Sequence, residues 1–274
     1  MPDTESTESS SDLPGTAREH AEFFLKYYSV LVWGFFCTLG FLPPAILRWG
    51  NTNTAFAYAR TLSWVGLKLL GIRVEITGQE HLAHRPAILV ANHQSNYDVM
   101  LVGTVYPRDT VVIGKKELLK TPLFGIFFAA TGNILIDRAD HKQAVAGLDK
   151  AVDTLRKRRT SIWVFPEGQR SRGHGLGPFK KGAFHMAIAA GVPVIPIVCS
   201  STDRVINARM KLAPGGVLRI HILPPVSTDG LQPSDAEALK DKVHGIVHDE
   251  WERMESELKR DASTGVRDSS RTRP

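Results

Sequence analysis

The stretch Pro86-Ala-Ile-Leu-Val-Ala91, followed at once by Asn92-His-Gln-Ser-Asn-Tyr-Asp98, decides how this chain folds. The first part is a short, unbroken apolar run of the kind that forms a strand buried on both faces. The second part is a polar turn, and Tyr97-Asp-Val-Met-Leu then opens a helix. A strand passing through a polar turn into a helix is the repeating unit of an α/β sheet. On one continuous helix, His93 and Asp98 would point about 140° apart. A turn between strand and helix can bring them together instead. Two readings of the pair follow: Ser95 and Asp98 form a capping box with an incidental histidine beside it, or His93 is a base and Asp98 the carboxylate that orients it.

Three further polar constellations follow, each at the end of an apolar run: Gly132-Asn-Ile-Leu-Ile-Asp-Arg138, Phe165-Pro-Glu-Gly-Gln-Arg-Ser171 after Ser161-Ile-Trp-Val164, and Val192-Pro-Val-Ile-Pro-Ile197. With Asn92–Asp98 they resemble, in order and spacing, the four sequence blocks of the glycerolipid acyltransferases. Gly114-Lys-Lys-Glu-Leu118 and Phe179-Lys-Lys-Gly-Ala183 are most similar to the 1-acyl-sn-glycerol-3-phosphate acyltransferases of that family. The resemblance spans about residues 73–223. Gln169 stands where the family usually has Thr, and Leu135 where it often has Phe. Neither departure removes an ionisable group, although Gln169 bears on acceptor preference.

The chemistry implied by the resemblance is one these residue types can perform. Acyl transfer from a thioester to an alcohol needs a base for the hydroxyl proton, a site for the acceptor's charge, and stabilisation of the developing oxyanion. His93 is expected to be the base and Asp98 to fix its tautomer, as in a hydrolase triad without its serine. Arg138 and Arg170 are the expected phosphate ligands, because a guanidinium fork matches phosphate oxygens. Lys115 could reach the same phosphate. Glu167, between Pro166 and Gly168, could orient Arg170 or accept from a glycerol hydroxyl. The expected partners are lysophosphatidate, an acyl thioester carried on coenzyme A or on acyl carrier protein, and membrane phospholipids. No metal or cofactor is expected, the donor being a substrate. Acceptors such as glycerol 3-phosphate, a lysophospholipid or a lyso-aminolipid are the alternative, and a membrane-bound lipid hydrolase is a more distant one. The chain has no G-x-S-x-G elbow to support a serine hydrolase.

Other features carry less. Gly173-His-Gly-Leu-Gly177 lacks the lysine of a phosphate-binding loop and reads as a mobile turn. His244 and His248 lie one turn apart on a helix and read as a solvated or half-buried face. Cys37 and Cys199 are too few for a disulfide framework and read as apolar residues of a protein kept in a reducing compartment. The net charge of +6 and the pI of about 9.4 would suit nucleic acid or anionic lipid equally. The cations, however, flank apolar segments (Lys26, Arg48, Arg60, Lys68) and form no nucleic-acid module. Lipid headgroups fit them better.

Residues 1–19 read as a disordered polar tail and 20–72 as membrane-associated helices. Tyr27–Leu47 carries no charge, but Pro43-Pro44 is expected to break it. The unbroken part would then reach about 24 Å, short of a hydrocarbon core of about 30 Å. With Ala55–Ile72 it is expected to form a hairpin dipping into one leaflet, a single spanning helix and a buried helical pair being the alternatives. The active site is expected to face the cytoplasm, at the inner membrane if the protein is bacterial. Residues 73–260 form the expected catalytic domain and 261–274 an expected disordered basic tail. Within the domain, strand-like runs at 73–77, 87–91, 110–114, 133–136, 162–165, 194–199 and 217–223 alternate with helical patterns at 142–158, 179–190 and 234–258. The expected fold is α/β: a mixed, largely parallel sheet flanked by helices, glycerolipid acyltransferase-like, preceded by the helical hairpin.

Overall fold

The computed structural model describes residues 15–137, 141–172 and 174–263. Arg138, one of the two expected phosphate ligands, lies outside them. Seven strands form one sheet: β1 (Ile72–Thr77), β2 (Ile88–Ala91), β3 (Thr110–Lys115), β4 (Ile134–Ile136), β5 (Ser161–Val164), β6 (Val194–Cys199) and β7 (Gly216–Ile222). Their order across the sheet is β1-β7-β6-β2-β5-β3-β4. Every adjacent pair is parallel except β6–β7. The expected mixed, largely parallel α/β sheet is thus present. β2 lies at its centre, between β5 and β6, and all four of its residues are buried, as an unbroken apolar run predicts.

Helices cover both faces. On one side α3 (Asp98–Val105) packs beneath α1 (Ala17–Leu47) and α2 (Thr52–Leu70), and Met100, Leu101, Leu67 and Leu70 join β2 and β6 residues in one core. On the other side α5 (His141–Arg158), α6 (Gly182–Ala190) and α7 (Ala236–Ser263) bury Leu155, Phe184, Val243 and Met254 against the sheet. The short α4 (Phe124–Ala130) closes the edge beside β3 and β4 and contributes Phe127 and Ala130 to a third cluster with α1 and α2.

Pro43 and Pro44 do not break the first helix. α1 runs for 31 residues, with both prolines inside it and Arg48 N–H donating to Pro44 O at the C-terminus. Two intrahelical donors are lost, but Ala45, completely buried, packs with Tyr58 and Phe127 and holds the last turn in place. The helix is therefore about 46 Å long. By length and composition α1 could cross a membrane; α2 does not meet that test. The two helices form a pair: Trp33 Nε1 donates to Leu62 O at 3.3 Å, and the Thr38 and Tyr58 hydroxyls share a hydrogen bond of 3.1 Å.

Candidate active site

β2 ends at Ala91, and the turn that follows is pinned on both sides. Asn92 bridges to β6 through both ends of its amide: Nδ2 donates to Cys199 O at 2.9 Å and Oδ1 accepts from Cys199 N–H at 2.8 Å. Gln94, also buried, donates to Cys199 O and Ser200 O and accepts from Thr202 N–H. These buried amides are satisfied and fix the backbone on either side of His93.

The capping box foreseen at Ser95 and Asp98 is only half formed. Asp98 accepts from Ser95 N–H at 3.0 Å, but Ser95 Oγ accepts from Tyr97 N–H and donates to Asp98 Oδ1; α3 has no side-chain cap. The Asp98 carboxylate is instead turned back into the loop. Its Oδ2 also takes Gln94 N–H at 2.6 Å and lies 2.7 Å from His93 Nδ1. An ionised carboxylate only accepts, so Nδ1 carries the proton and Nε2 is left as the basic nitrogen. The His93 ring stacks on Phe165, 4.1 Å between centroids. The spacing that is useless on a helix thus becomes a hydrogen-bonded pair in a strand–turn–helix.

Glu167 belongs to the next turn. Its Oε1 accepts from His93 N–H at 2.7 Å and its Oε2 from Gly177 N–H at 3.0 Å. Burial pushes its carboxyl above the ordinary value, against the pull of those two backbone donors. The expected contact with Arg170 is not made, and Glu167 braces the His93 backbone instead. Gly168 has φ +74°, and a Cβ there would crowd Lys180 Cε and Nζ at 3.0 Å, so the turn requires glycine. Ser171 N–H and Arg172 N–H donate to the carbonyls of His93 and Gln94, locking the two turns together. Of the glycine-rich stretch after it, Gly173 lies outside the described residues, while Gly177 is held by Glu167 and, through its carbonyl, by His244 Nε2 at 3.2 Å. His244 is half-buried and His248 exposed.

A cavity of about 1100 Å³ opens at His93. Lys115, Glu167, Gly168 and Arg170 all line it, as do Asn96, Arg172 and His174, which were not singled out in the sequence. Its deeper wall is apolar and includes Val102, Val112, Ile113, Phe128 and Trp163. Arg172 adopts φ +52°, uncommon for a residue with a side chain. The site therefore joins a basic imidazole, a group of cations and an apolar chamber.

A family model described as "Acyltransferase" matches residues 73–200. The 1-acyl-sn-glycerol-3-phosphate acyltransferase of Escherichia coli (strain K12) is 40% identical over 193 residues, covering 69% of this chain and 77% of that protein. The 1-acyl-sn-glycerol-3-phosphate acyltransferase alpha of Mus musculus is 36% identical over 225 residues, 81% of this chain and 79% of its own. The chain belongs to the 1-acyl-sn-glycerol-3-phosphate acyltransferase family. The crystal structure of the 1-acyl-sn-glycerophosphate (LPA) acyltransferase PlsC from Thermotoga maritima superposes with a TM-score of 0.69 at 26% identity, covering 86% of this chain and 96% of that one. That match extends beyond the sheet of this acyltransferase to the helices around it. An O-acyltransferase of phospholipid synthesis is thus what the residue pattern and the relatives agree upon. Within this acyltransferase, Asn92 and Gln94 brace the His93 turn in a way that only the fold reveals.

Proposed function

We propose that this enzyme transfers a fatty acyl chain from acyl-CoA or acyl carrier protein to the sn-2 hydroxyl of 1-acyl-glycerol 3-phosphate, giving phosphatidate. The observation that carries this reading is the His93–Asp98 pair at the mouth of a cavity that is cationic outside and apolar within. His93 Nε2 takes the proton of the acceptor hydroxyl as its oxygen attacks the thioester carbonyl; the tetrahedral intermediate collapses with loss of the C–S bond, and the proton passes from the imidazolium to the leaving thiolate. Asp98 holds the tautomer and stabilises the imidazolium. Arg170 and Lys115 supply positive charge for the acceptor phosphate, and Arg138 is assigned the same role on its sequence position alone. Neither metal nor cofactor enters the scheme.

The membrane reading rests on α1. Phe23, Val30, Cys37 and Ala45 tie it to the rest of the protein along its length, while Phe24, Leu25, Tyr28, Val32, Phe36 and Leu39 are exposed on the outer side. Such a helix lies along one leaflet with the domain at the cytoplasmic surface, where either thioester donor is available.

The test is product analysis by mass spectrometry with purified enzyme, an acyl thioester, and lysophosphatidate, glycerol 3-phosphate or lysophosphatidylcholine in parallel. Phosphatidate from lysophosphatidate alone is expected. His93→Ala is expected to reduce turnover by about 10²–10⁴-fold, the usual contribution of a general base, and Asp98→Asn to reduce it less. Acylation of another acceptor would overturn the substrate assignment, and wild-type turnover by His93→Ala would overturn the mechanism.

A further inference from the structure

The last helix, α7, does more than cover the sheet. Leu239, Val243, Val247 and Met254 form its buried core face. His244, Trp251 and Glu255 make a second stripe, about 80–120° round the helix from Val243 at 3.6 residues per turn. Each of the three meets a loop that lies against the His93 turn.

His244 reaches the Glu167 side. Its Nε2 lies 3.2 Å from Gly177 O, and because a carbonyl only accepts, Nε2 carries the proton. Gly177 N–H donates to Glu167 Oε2 at 3.0 Å, and Glu167 Oε1 accepts from His93 N–H at 2.7 Å. Gly177 is thus held at both its N–H and its carbonyl, between α7 and the carboxylate that braces His93. A Cβ on Gly177 would fall 2.8 Å from Glu167 Oε2, so this approach needs glycine. The His244 ring stands edge-on to the buried Phe179, 4.8 Å between centroids and 83° between planes. Two turns further along the helix, Trp251 lies over Gly175, where a Cβ would stand 3.7 Å from Trp251 Cη2.

Glu255 reaches the other side. It is buried; Oε1 accepts from Ser201 N–H at 2.7 Å and Oε2 from Arg204 Nη2 at 3.0 Å. The segment it holds is the one Gln94 grips, through Cys199 O, Ser200 O and Thr202 N–H. Gln94 N–H in turn donates to Asp98 Oδ2, the oxygen that faces His93 Nδ1. A buried carboxylate is costly unless it is paired and hydrogen-bonded, and the apolar face already seats α7 on the sheet. The partners of Glu255 are therefore what it serves.

Resting on the acyl-transfer reading above, we propose that α7 positions the His93–Asp98 pair from outside the site: His244 sets one side of the turn through Gly177 and Glu167, and Glu255 sets the other through Ser201 and Gln94. Neither side chain touches the reacting atoms. Both are positioning residues, and a misplacement of about 1 Å at reacting groups costs up to about 10²-fold in rate.

The test measures kcat and KM in detergent micelles with lysophosphatidate and whichever thioester, of coenzyme A or acyl carrier protein, the wild type turns over. His244→Phe keeps a ring on Phe179 and removes the donor. Its kcat is expected to fall about 10- to 100-fold with KM for both substrates retained. His244→Gln restores a donor and is expected to recover most of the loss. His248→Phe, one turn on at an exposed position with no hydrogen bond to either loop, is expected to match the wild type. Glu167→Gln cuts the same link, so adding His244→Phe to it is expected to lower kcat by less than about threefold more, whereas independent effects would multiply. On the other side, Glu255→Met is expected to lose kcat as His244→Phe does. Glu255→Gln, which still accepts from Ser201 N–H but no longer pairs with Arg204, is expected to recover most of it, and this pair decides the matter if His244→Phe does not fold. Wild-type kcat in both His244→Phe and Glu255→Met, or full multiplication in the Glu167→Gln background, overturns the proposal. If the wild type leaves lysophosphatidate untouched and acylates another lysolipid, the substrate assignment above fails, and the same variants with that lipid still decide the role of α7.

Discussion

His93 and Asp98 could be singled out in the sequence because an imidazole and a carboxylate at a strand end are few and ionisable. Asn92 and Gln94 could not: neutral amides in a polar turn give no hint that both reach across to Cys199 and beyond. Glu167 was visible as a charge between Pro166 and Gly168, but its partners were not, since they are the backbone N–H groups of His93 and Gly177. Its buried carboxylate makes a prediction. Because its pKa in the folded protein is raised above the ordinary 4.5, the folded state holds that proton more tightly than the unfolded chain. The resulting stability is fully present below about pH 4.5 and is lost as pH rises through the folded value. Glu167→Gln does not titrate, and its amide NH₂ cannot accept from the second backbone donor, so it is less stable throughout. The Tm difference between wild type and Glu167→Gln should be largest at low pH and shrink above pH 4.5, followed by calorimetry. A difference independent of pH would mean that burial does not penalise this carboxylate.

The strands were legible to within a residue at either end because each is a distinct apolar run, whereas their neighbours were not. Nothing in the composition of β1 says that it pairs in parallel with β7, or that β6 and β7 run antiparallel; such pairings depend on contacts far apart in sequence. The start of α6 shows a local limit. A helical pattern begins at Phe179, but the Lys180 N–H donates to Pro166 O, so the segment serves the Glu167 turn and the helix opens only at Gly182. The close packing of α2 on α3 was equally hidden. At Gly103 an added Cβ would lie 1.8 Å from Ser63 Oγ and 2.3 Å from Ala59 O, the latter a backbone atom that cannot rotate away. Gly103→Val should therefore push α2 off α3 and cost at least the 1–3 kcal/mol typical of overpacking, about 4 °C or more in Tm. Since α3 begins with Asp98, activity should fall with stability. A melting curve superimposable on that of the wild type would show that the helices separate freely.

At the scale of the molecule, the N-terminal helices are not a detachable anchor. Leu67 and Leu70 of α2 and Phe23 and Val30 of α1 share the core that holds Met100 and Leu101 of α3, so removing residues 1–72 would strip the sheet as well as the membrane contact. The contact is better tested on the outer face of α1. Val32 and Phe36 are 55% and 59% exposed, lie one turn apart, and do not line the cavity at His93. Moving each from water to the acyl boundary is worth about 1.5–3 kcal/mol, and an aspartate in either place must stay hydrated or be neutralised. Together Val32→Asp and Phe36→Asp should reduce partitioning onto vesicles containing anionic phospholipid by at least 100-fold, measured by flotation, with Tm unchanged because both side chains already face outward. Turnover of a water-soluble short-chain lysophosphatidate should survive in the double variant, while turnover of vesicle-borne long-chain acceptor should collapse. That contrast separates delivery of the acceptor from the acyl-transfer step. Binding at the wild-type level would place the lipid contact on another surface.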